Sequence, residues 1–566
     1  MKRVIFLLAC ALSLLVLWLP MNPINPDLHS LQTLAVQDQG RKKPLDTVAL
    51  ETVTSIHGSD HFRQSDGEDL DYLQTYLALA FNDRDWNQEP LILFNYRPLK
   101  KAVGLDPEQK YFSFQELMQS QVGTVAQAAH RHQSQDLELT RQEREALILE
   151  DRLARMLEIV GRDSLSLIPH SEDIKGRWLT WKAATSTYEP EVIAPLLAQY
   201  EILKRGYALG SLHWSMVNTV ADQLHQGLRD LSPEVYPSDQ VLEREVRYQA
   251  LHPFARAWIL YAIATVIMLI SLGWKQSALY WGSLGIFTSG IGLHLYGIIL
   301  RMQIAGRPPV TNMYESVIWV GLGTCAVALI FELITRARYY LLAAAPISVA
   351  LLLLADNLPA VLDASIQPLV PVLRDNFWLS IHVPTITLSY ACFALAMGLG
   401  HILLGHYLLA PGASQRIQKL GRLNYAVLQL GVLLLATGII LGGIWAHFSW
   451  GRFWGWDPKE TWAAIALLCY LVPLHGRFVG WIGSFGMAVV SVISFNAVLM
   501  AWYGVNFVLG QGLHSYGFGS GGAAWVALGV GIDLLFVLIV ALRYSQRQIS
   551  TSLEAEGRTS LSQQPI

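Results

Sequence analysis

Hydrophobic and polar positions divide this chain into three unequal stretches. Residues 4 to 20 are apolar behind Met1-Lys2-Arg3, and residues 21 to 253 are polar and charged with no run long enough to cross a bilayer. From Phe254 onward apolar runs follow one another almost without pause to residue 543. At about 20 apolar residues per crossing helix, the third stretch predicts spans near 254–273, 278–300, 311–334, 339–356, 379–409, 423–447, 460–480, 481–502 and 522–543. The leading stretch resembles a signal peptide in length. Leu19-Pro20-Met21-Asn22-Pro23 lacks a small-x-small cleavage site, however, which favours a retained membrane anchor over residues 1–20. In the polar stretch, Gln135 to Arg162 spaces Leu137, Leu139, Leu147, Leu149, Leu153 and Met156 as a surface helix does. The fold class is therefore mainly α: a polytopic helical membrane protein of about ten transmembrane helices. A large, mostly helical domain (21–253) lies between the first and second helices, and a polar tail (544–566) follows the last.

Loop charge gives this threading a direction, because short cytoplasmic loops collect Lys and Arg. Lys2 and Arg3 put the start of the chain inside, and alternation then puts Lys275, Arg336, Arg338, Arg416, Lys419, Arg422, Arg477, Arg543 and Arg547 inside as well. Arg301 and Arg307 fall in a short outer loop, against the trend. The domain, the 357–378 loop, the Trp-rich segment described below and the 503–521 loop are then expected outside. In a bacterium this is the periplasmic side of the cytoplasmic membrane.

Composition narrows the function classes. The chain is 52% hydrophobic and 15% charged with a formal net charge of −3, which gives a nucleic acid nothing to hold and leaves membrane lipid as the surrounding medium. Cys10, Cys325, Cys392 and Cys469 all lie in apolar stretches with no CxxC pair. They read as small core residues, and thiol redox chemistry or covalent haem attachment to this chain is not expected.

The densest chemical signal is Trp450-Gly451-Arg452-Phe453-Trp454-Gly455-Trp456-Asp457-Pro458-Lys459-Glu460-Thr461-Trp462. Tryptophans anchor helices at the headgroup level, but a belt needs fewer rings than this, and the intervening glycines let rings line a flat surface. Asp457 at N-cap, Pro458 at N1 and Glu460 at N3 form the grammar of a helix start. Capping alone accounts for those three residues, though not for the aromatic platform before them.

Histidine inside a bilayer is a functional hypothesis by default. The threading sorts the membrane half's His294, His382, His401, His406, His447, His475 and His514 by depth. His294, His401 and His406 read as helix–helix contacts and His447 as an interfacial residue. His382 and His514 approach the Trp-rich surface from two distant outer segments. Two neutral imidazoles either side of a flat aromatic slot suit bis-histidine haem iron, whereas no compact Cys/His/carboxylate set suits zinc. Arg452 and the N–H groups of the helix start at Asp457 are candidate partners for haem propionates. His475 lies 475 − 460 = 15 residues past Glu460, or roughly 22 Å inward at 1.5 Å per residue. His401 reaches a similar depth, so two haem levels would make a path across the membrane.

Trp450 to Arg477 resembles the WWD motif of haem-handling membrane proteins, and specifically the CcsA (ResC) branch of system II cytochrome c biogenesis. Three more stretches resemble that branch: Pro309 to Ser316, His382-Val383 with Ser389-Tyr390, and Gly504 to Phe507 leading to His514-Ser515-Tyr516. The resemblance covers 254–543. It implies that His382 and His514 are axial ligands of an external haem b held at the WWD surface (Trp450, Trp454, Trp456, Asp457), and that His475 ligates a transmembrane haem. It further implies haem export and presentation of ferrous haem to the CXXCH motif of apocytochrome c, together with a CcsB (ResB) partner, as a cytochrome c haem lyase subunit. No nucleophile from this chain is required. With the CcsB half missing, the second inner ligand is expected from a partner or from His401. Gln37 to Thr47 resembles the junction of fused CcsBA proteins, which suggests the C-terminal piece of a split fusion. Two other classes stay open: a haem carrier without ligation chemistry, and a b-type cytochrome passing electrons between quinol and haem.

Overall fold

The computed structural model describes residues 1–561 apart from 19–27, 66, 136, 138, 161–164, 171, 172, 174, 175, 209–213, 275, 359, 360, 370 and 510–521. The chain divides into two compact units, Met1–Leu19 with His252–Ile566, and Pro20–Leu251.

The Pro20–Leu251 unit is helical with short antiparallel hairpins, packed round one core that includes Trp86, Phe62, Phe112 and Leu149. The stretch Gln37 to Thr47 folds as most of the first hairpin and the start of the helix Leu45–His57. Strands Ala35–Asp38 and Arg41–Pro44 are joined by Gln39 and Gly40, both at positive φ (49° and 79°), the two-residue turn whose twist matches that of the strands. Each charge in the stretch has a structural task. Arg41 makes paired bonds of 2.7 and 2.6 Å to Glu245, and Lys43, 1% exposed, bonds Asp38 at 2.8 Å and Glu51 at 2.6 Å. Asp46 accepts from Tyr72 and Gln32, and burial pushes its carboxyl up to about 6. The predicted surface helix runs Arg141–Ile159 behind a Thr140/Glu143 capping box. Leu149 and Met156 are buried in it, whereas Leu137 lies before its start and is exposed.

In the other unit, nine helices among the described residues are long and apolar enough to cross a membrane. They fall at the nine expected places, from Pro253–Trp274 to Ala523–Leu561. The leading apolar stretch forms a shorter helix, Lys2–Ser13, continued by a 3-10 turn to Trp18. It packs on Ser277–Ala305 so closely that a Cβ at Gly285 would lie 2.7 Å from the Phe6 carbonyl oxygen. Polar side chains join the helices where lipid offers no partner. Asn424 donates to Ser491 at 2.9 Å, and Ser348 to the Gly321 carbonyl at 2.9 Å. All four cysteines are free, Cys325 and Cys392 fully buried, as expected of core residues.

The two arginines that broke the loop-charge trend have structural partners. Arg301 is buried, donates to Glu315 at 2.8 Å and to the Ala364 carbonyl at 2.7 Å, and lies over the Tyr314 ring. Arg307 donates to the Gln367 carbonyl at 2.5 Å. Both are spent on fixing the 361–369 stretch, so they are poor reporters of orientation.

Candidate functional site

A cavity of about 190 Å³ opens at the end of the helical unit where Met313–Thr335 begins and Ser414–Trp450 ends. Four elements supply most of its wall. The start of Met313–Thr335 contributes Thr311, Asn312 and Ser316, and Asn376–Leu409 contributes His382, Val383, Ile386 and Tyr390. Ser414–Trp450 brings Gly442, Gly443 and Trp445, and the Trp-rich segment with the helix after it brings Phe453, Trp454, Lys459 and Glu460. The π-helical segment Met500–Leu509 closes the ring with Trp502 and Asn506. Such wide turns concentrate at functional sites.

His382 is the most carefully placed of these residues. Its Nδ1 lies 2.9 Å from the Gly438 carbonyl oxygen. A carbonyl only accepts, so Nδ1 carries the proton and the basic lone pair falls on Nε2, the arrangement that prepares an imidazole for a metal. The ring occupies the space over Gly442, where a Cβ would lie 2.6 Å from its Cε1. Trp445 meets it edge to face at 5.7 Å. Gly443 makes the same concession to Phe453, whose ring atoms would be 2.6 Å from an added Cβ. The chemistry of this wall, one prepared imidazole among aromatic and apolar groups, fits a haem edge and fits no multi-carboxylate metal site. Among the described residues no cluster of three His, Cys, Asp or Glu side chains exists.

The Trp-rich segment is held by the helix it precedes. Ser414–Trp450 ends at Gly451 with φ 70°, and Pro458–Phe478 starts with the expected box, Asp457 capping and Glu460 reaching back. Glu460 accepts from the N–H groups of Gly455 (2.8 Å) and Asp457 (3.2 Å) and pairs with Arg452 at 3.2 Å. Arg452 also lies over the Trp450 ring at 5.6 Å, and its guanidinium fills the place a side chain at Gly455 would need. Trp456 is held at φ 56°, a strained conformation for an aromatic residue, and is 74% exposed with its ring edge-on to Trp454.

The expected site residues therefore separate. His382 and Trp454 line the cavity. Asp457 is buried and caps the helix, so the N–H groups expected to meet a propionate are already answered by its carboxylate. Arg452, expected as a propionate partner, pairs with Glu460 and lies over the Trp450 ring. Trp450 and Trp456 flank the cavity without lining it. His514 lies outside the described residues. Sequence reasoning passed over Lys459, Asn506, Phe453 and the Gly442-Gly443 pair. The first three sit inside stretches already singled out, and the glycines are legible only once His382 and Phe453 are seen against them.

His475 is on the same helix as Glu460 but on its exposed face, with Nδ1 donating to the Leu471 carbonyl at 2.9 Å. Ile465, Leu468, Val472 and Val479 are exposed with it. The spacing 465, 468, 472, 475, 479 alternates three and four, so these residues share one face of the helix. His401 does not share this face. Its Nδ1 donates to the Met397 carbonyl at 2.9 Å and its Nε2 contacts the Asp533 carboxylate, so both ring nitrogens are occupied within the bundle. His447 is exposed beside Phe448, and His294 is buried beside Tyr261, as structural residues.

Comparison with known proteins gives a consistent family. A family model described as cytochrome C assembly protein matches residues 310–514. The chain is similar to protein NrfI of Wolinella succinogenes, 29% identical over 84% of this chain and 53% of that protein. It therefore spans about half the length of that relative. It is also similar to the cytochrome c biogenesis protein CcsA of Chlorella vulgaris, 33% identical over 44% of this chain and 90% of that protein. CcsA of Prochlorococcus marinus is 34% identical over 39% of this chain and 79% of its own length.

Proposed function

This chain belongs to the CcsA family of cytochrome c biogenesis proteins, and from that premise we propose that it carries haem across a bacterial cytoplasmic membrane and presents it for attachment to apocytochrome c. In this reading the cavity beside His382 faces the periplasm, with residues 1–3 and the tail 544–566 on the cytoplasmic side. The observation that carries it is His382 itself, its Nδ1 proton committed to Gly438 and its ring seated over Gly442. A neutral imidazole fixed this way loses little freedom on ligating iron, and His514 from the 503–521 loop supplies the opposite ligand. Ferrous haem b is the substrate.

The chain's residues bind, orient and exclude water. Trp445, Phe453 and Trp454 supply apolar wall at the His382 end, which protects a ferrous iron from water-borne oxidants. Attachment adds a cysteine S–H of the CXXCH motif across each haem vinyl group: a C–S bond forms, the proton goes to the other vinyl carbon, and no electron changes hands. Positioning is the catalytic contribution of such a site, and both thiols come from the apocytochrome.

His475 stands at the other haem level. Exposed at the centre of an apolar three–four seam, it is one half of a ligand pair whose other half comes from a transmembrane helix of a CcsB-type partner. The occupied His401 supports the partner over an internal ligand, and it also disfavours a self-contained b-type cytochrome, which needs both imidazoles at one depth in one bundle.

The test is co-expression of the full chain with a CcsB-type partner and an apocytochrome bearing CXXCH. His382→Ala is expected to lower both haem content and covalent cytochrome c; retention of both would overturn the assignment. Supplying the purified complex with ferrous haem and a CXXCH peptide separates lyase from carrier, since only a lyase yields the thioether product.

A further inference from the structure

The cavity's lining includes polar side chains that make no hydrogen bond to His382. Trp445 meets the imidazole edge to face, Val383 and Ile386 line the cavity with it, and Lys459, Asn506, Thr311 and Asn312 line the same space. The acidic groups nearby are already used. Glu460 answers Arg452 and two backbone N–H groups, and Glu315 answers Arg301 and Thr311. Asp457 caps the helix with the Lys459 N–H as its donor. The ammonium of Lys459 makes its hydrogen bond to an amide oxygen instead, Asn506 Oδ1 at 3.2 Å. The Asp457 carboxylate, two residues back, offsets this charge electrostatically, but the ammonium's hydrogen bond goes to a neutral oxygen, so an anion entering the cavity would improve its compensation.

Resting on the haem reading above, we propose that Lys459 is the residue by which the cavity selects a ligand bearing a carboxylate, exchanging its bond to Asn506 for one to that acid group. A lysine ammonium is a compact point charge on a flexible stem, suited to a carboxylate that must enter and leave, where a forked guanidinium would hold it in one geometry. Arg452 is tied back into the segment, so the acid edge of the ligand is read inside the cavity by Lys459 and not at the rim. His382 and the apolar lining meet the part of the flat ligand that enters, since about 190 Å³ holds an edge of it. The cavity thereby fixes which edge of the ligand points inward, and with it which edge is left for attachment chemistry.

The probes are ferrous haem and its dimethyl ester, identical except for the masked carboxylates, titrated optically into the purified full chain. Wild type is expected to bind haem about ten-fold tighter than the diester, the size of one charge-assisted hydrogen bond. Lys459→Gln and Lys459→Met, the second preserving the apolar stem, are expected to bring haem down to the diester's affinity and leave the diester unchanged, and Lys459→Arg to restore the preference. Equal affinity of wild type for the two probes, or an equal loss of both in the Lys459 variants, overturns the proposal. His382→Ala keeps the two readings apart. If it abolishes binding of both probes while Lys459 shows no preference, the haem site stands and only the carboxylate role falls. If wild type binds neither probe, both fall.

Discussion

His382 and His475 are both histidines on helices of one membrane unit, and each donates its Nδ1 proton to a backbone carbonyl at 2.9 Å. The difference lies in whose carbonyl it is. His382 reaches across to Gly438 on Ser414–Trp450, into a space that Gly442 leaves open, under the edge of Trp445. His475 bonds Leu471, one turn back on its own helix, and its ring faces outward among exposed aliphatic residues. One site is built by tertiary structure and complete on its wall side. The other is an exposed face of a single helix. A ligand fixed by its neighbours responds to changes in those neighbours, whereas one fixed by its own helix does not.

The strongest test of that contrast works through the wall of the cavity. Thr311 and Asn312, which line it, are held by Glu315: the Thr311 N–H and hydroxyl both donate to its carboxylate, and Asn312 accepts from its N–H at 2.8 Å. Glu315 in turn neutralises the buried Arg301. Glu315→Ala leaves that guanidinium buried without its carboxylate, a loss of about 3–5 kcal/mol. A large drop in thermal stability in detergent, with haem binding at the His382 site lost, is the expected result. An unchanged melting temperature would mean the pair does not brace the wall.

Gly442→Ala comes next. An added methyl carbon would lie 2.6 Å from His382 Cε1, so the ring must shift and its bond to Gly438 loosens. Affinity for haem is expected to fall about 10- to 100-fold, the usual effect of disturbing what orients a metal-binding histidine, while size-exclusion behaviour stays that of wild type. Full affinity in Gly442→Ala would show that the imidazole's present position is not the binding one.

These two positions also mark where sequence reasoning succeeded and where it stopped. The nine spans were legible because each is a long apolar run bounded by charge or glycine, and bilayer thickness fixes the length. The helix start at Asp457 was legible because capping is local, settled within four residues. His382 stood out as an imidazole beside tryptophans. Gly442 did not, since a glycine in an apolar run looks the same whether it faces lipid or a ring 442 − 382 = 60 residues earlier in the chain. Arg301 and Arg307 stood against the charge trend, and no signal in the sequence marks one as part of a buried ion pair and the other as bonded to a loop carbonyl. The tie between Arg452 and Glu460 was not legible, because Glu460 reads as a helix cap and one carboxylate can serve both tasks.

Trp456→Gly is a smaller perturbation on the complete side. The indole at φ 56° stores strain that glycine does not feel, so relief of about 1 kcal/mol is expected. The ring is mostly exposed, so little packing is lost in exchange. The isolated chain should melt slightly higher with its haem affinity intact. A loss of haem affinity would instead assign Trp456 to the ligand's surface, and the strain to function.

The smallest effect in the isolated chain belongs to His475→Ala, and its smallness is the point. The side chain is exposed and its one hydrogen bond is to its own helix, so stability should change by no more than about 0.5 kcal/mol. The optical spectrum of haem at the His382 site should not move. Paired with a CcsB-type partner the same substitution should remove one haem from the complex, measured as haem per protein, because the iron then lacks one of two imidazoles that neither subunit can replace. Leu468→Asn and Val472→Asn on the same seam leave the imidazole in place and should weaken the association of the two chains. If His475→Ala strips haem from the chain alone, the second ligand is internal and the contrast between a built site and a half-built one disappears. If it changes nothing even in the complex, the exposed face meets lipid, and the path across the membrane does not pass through it.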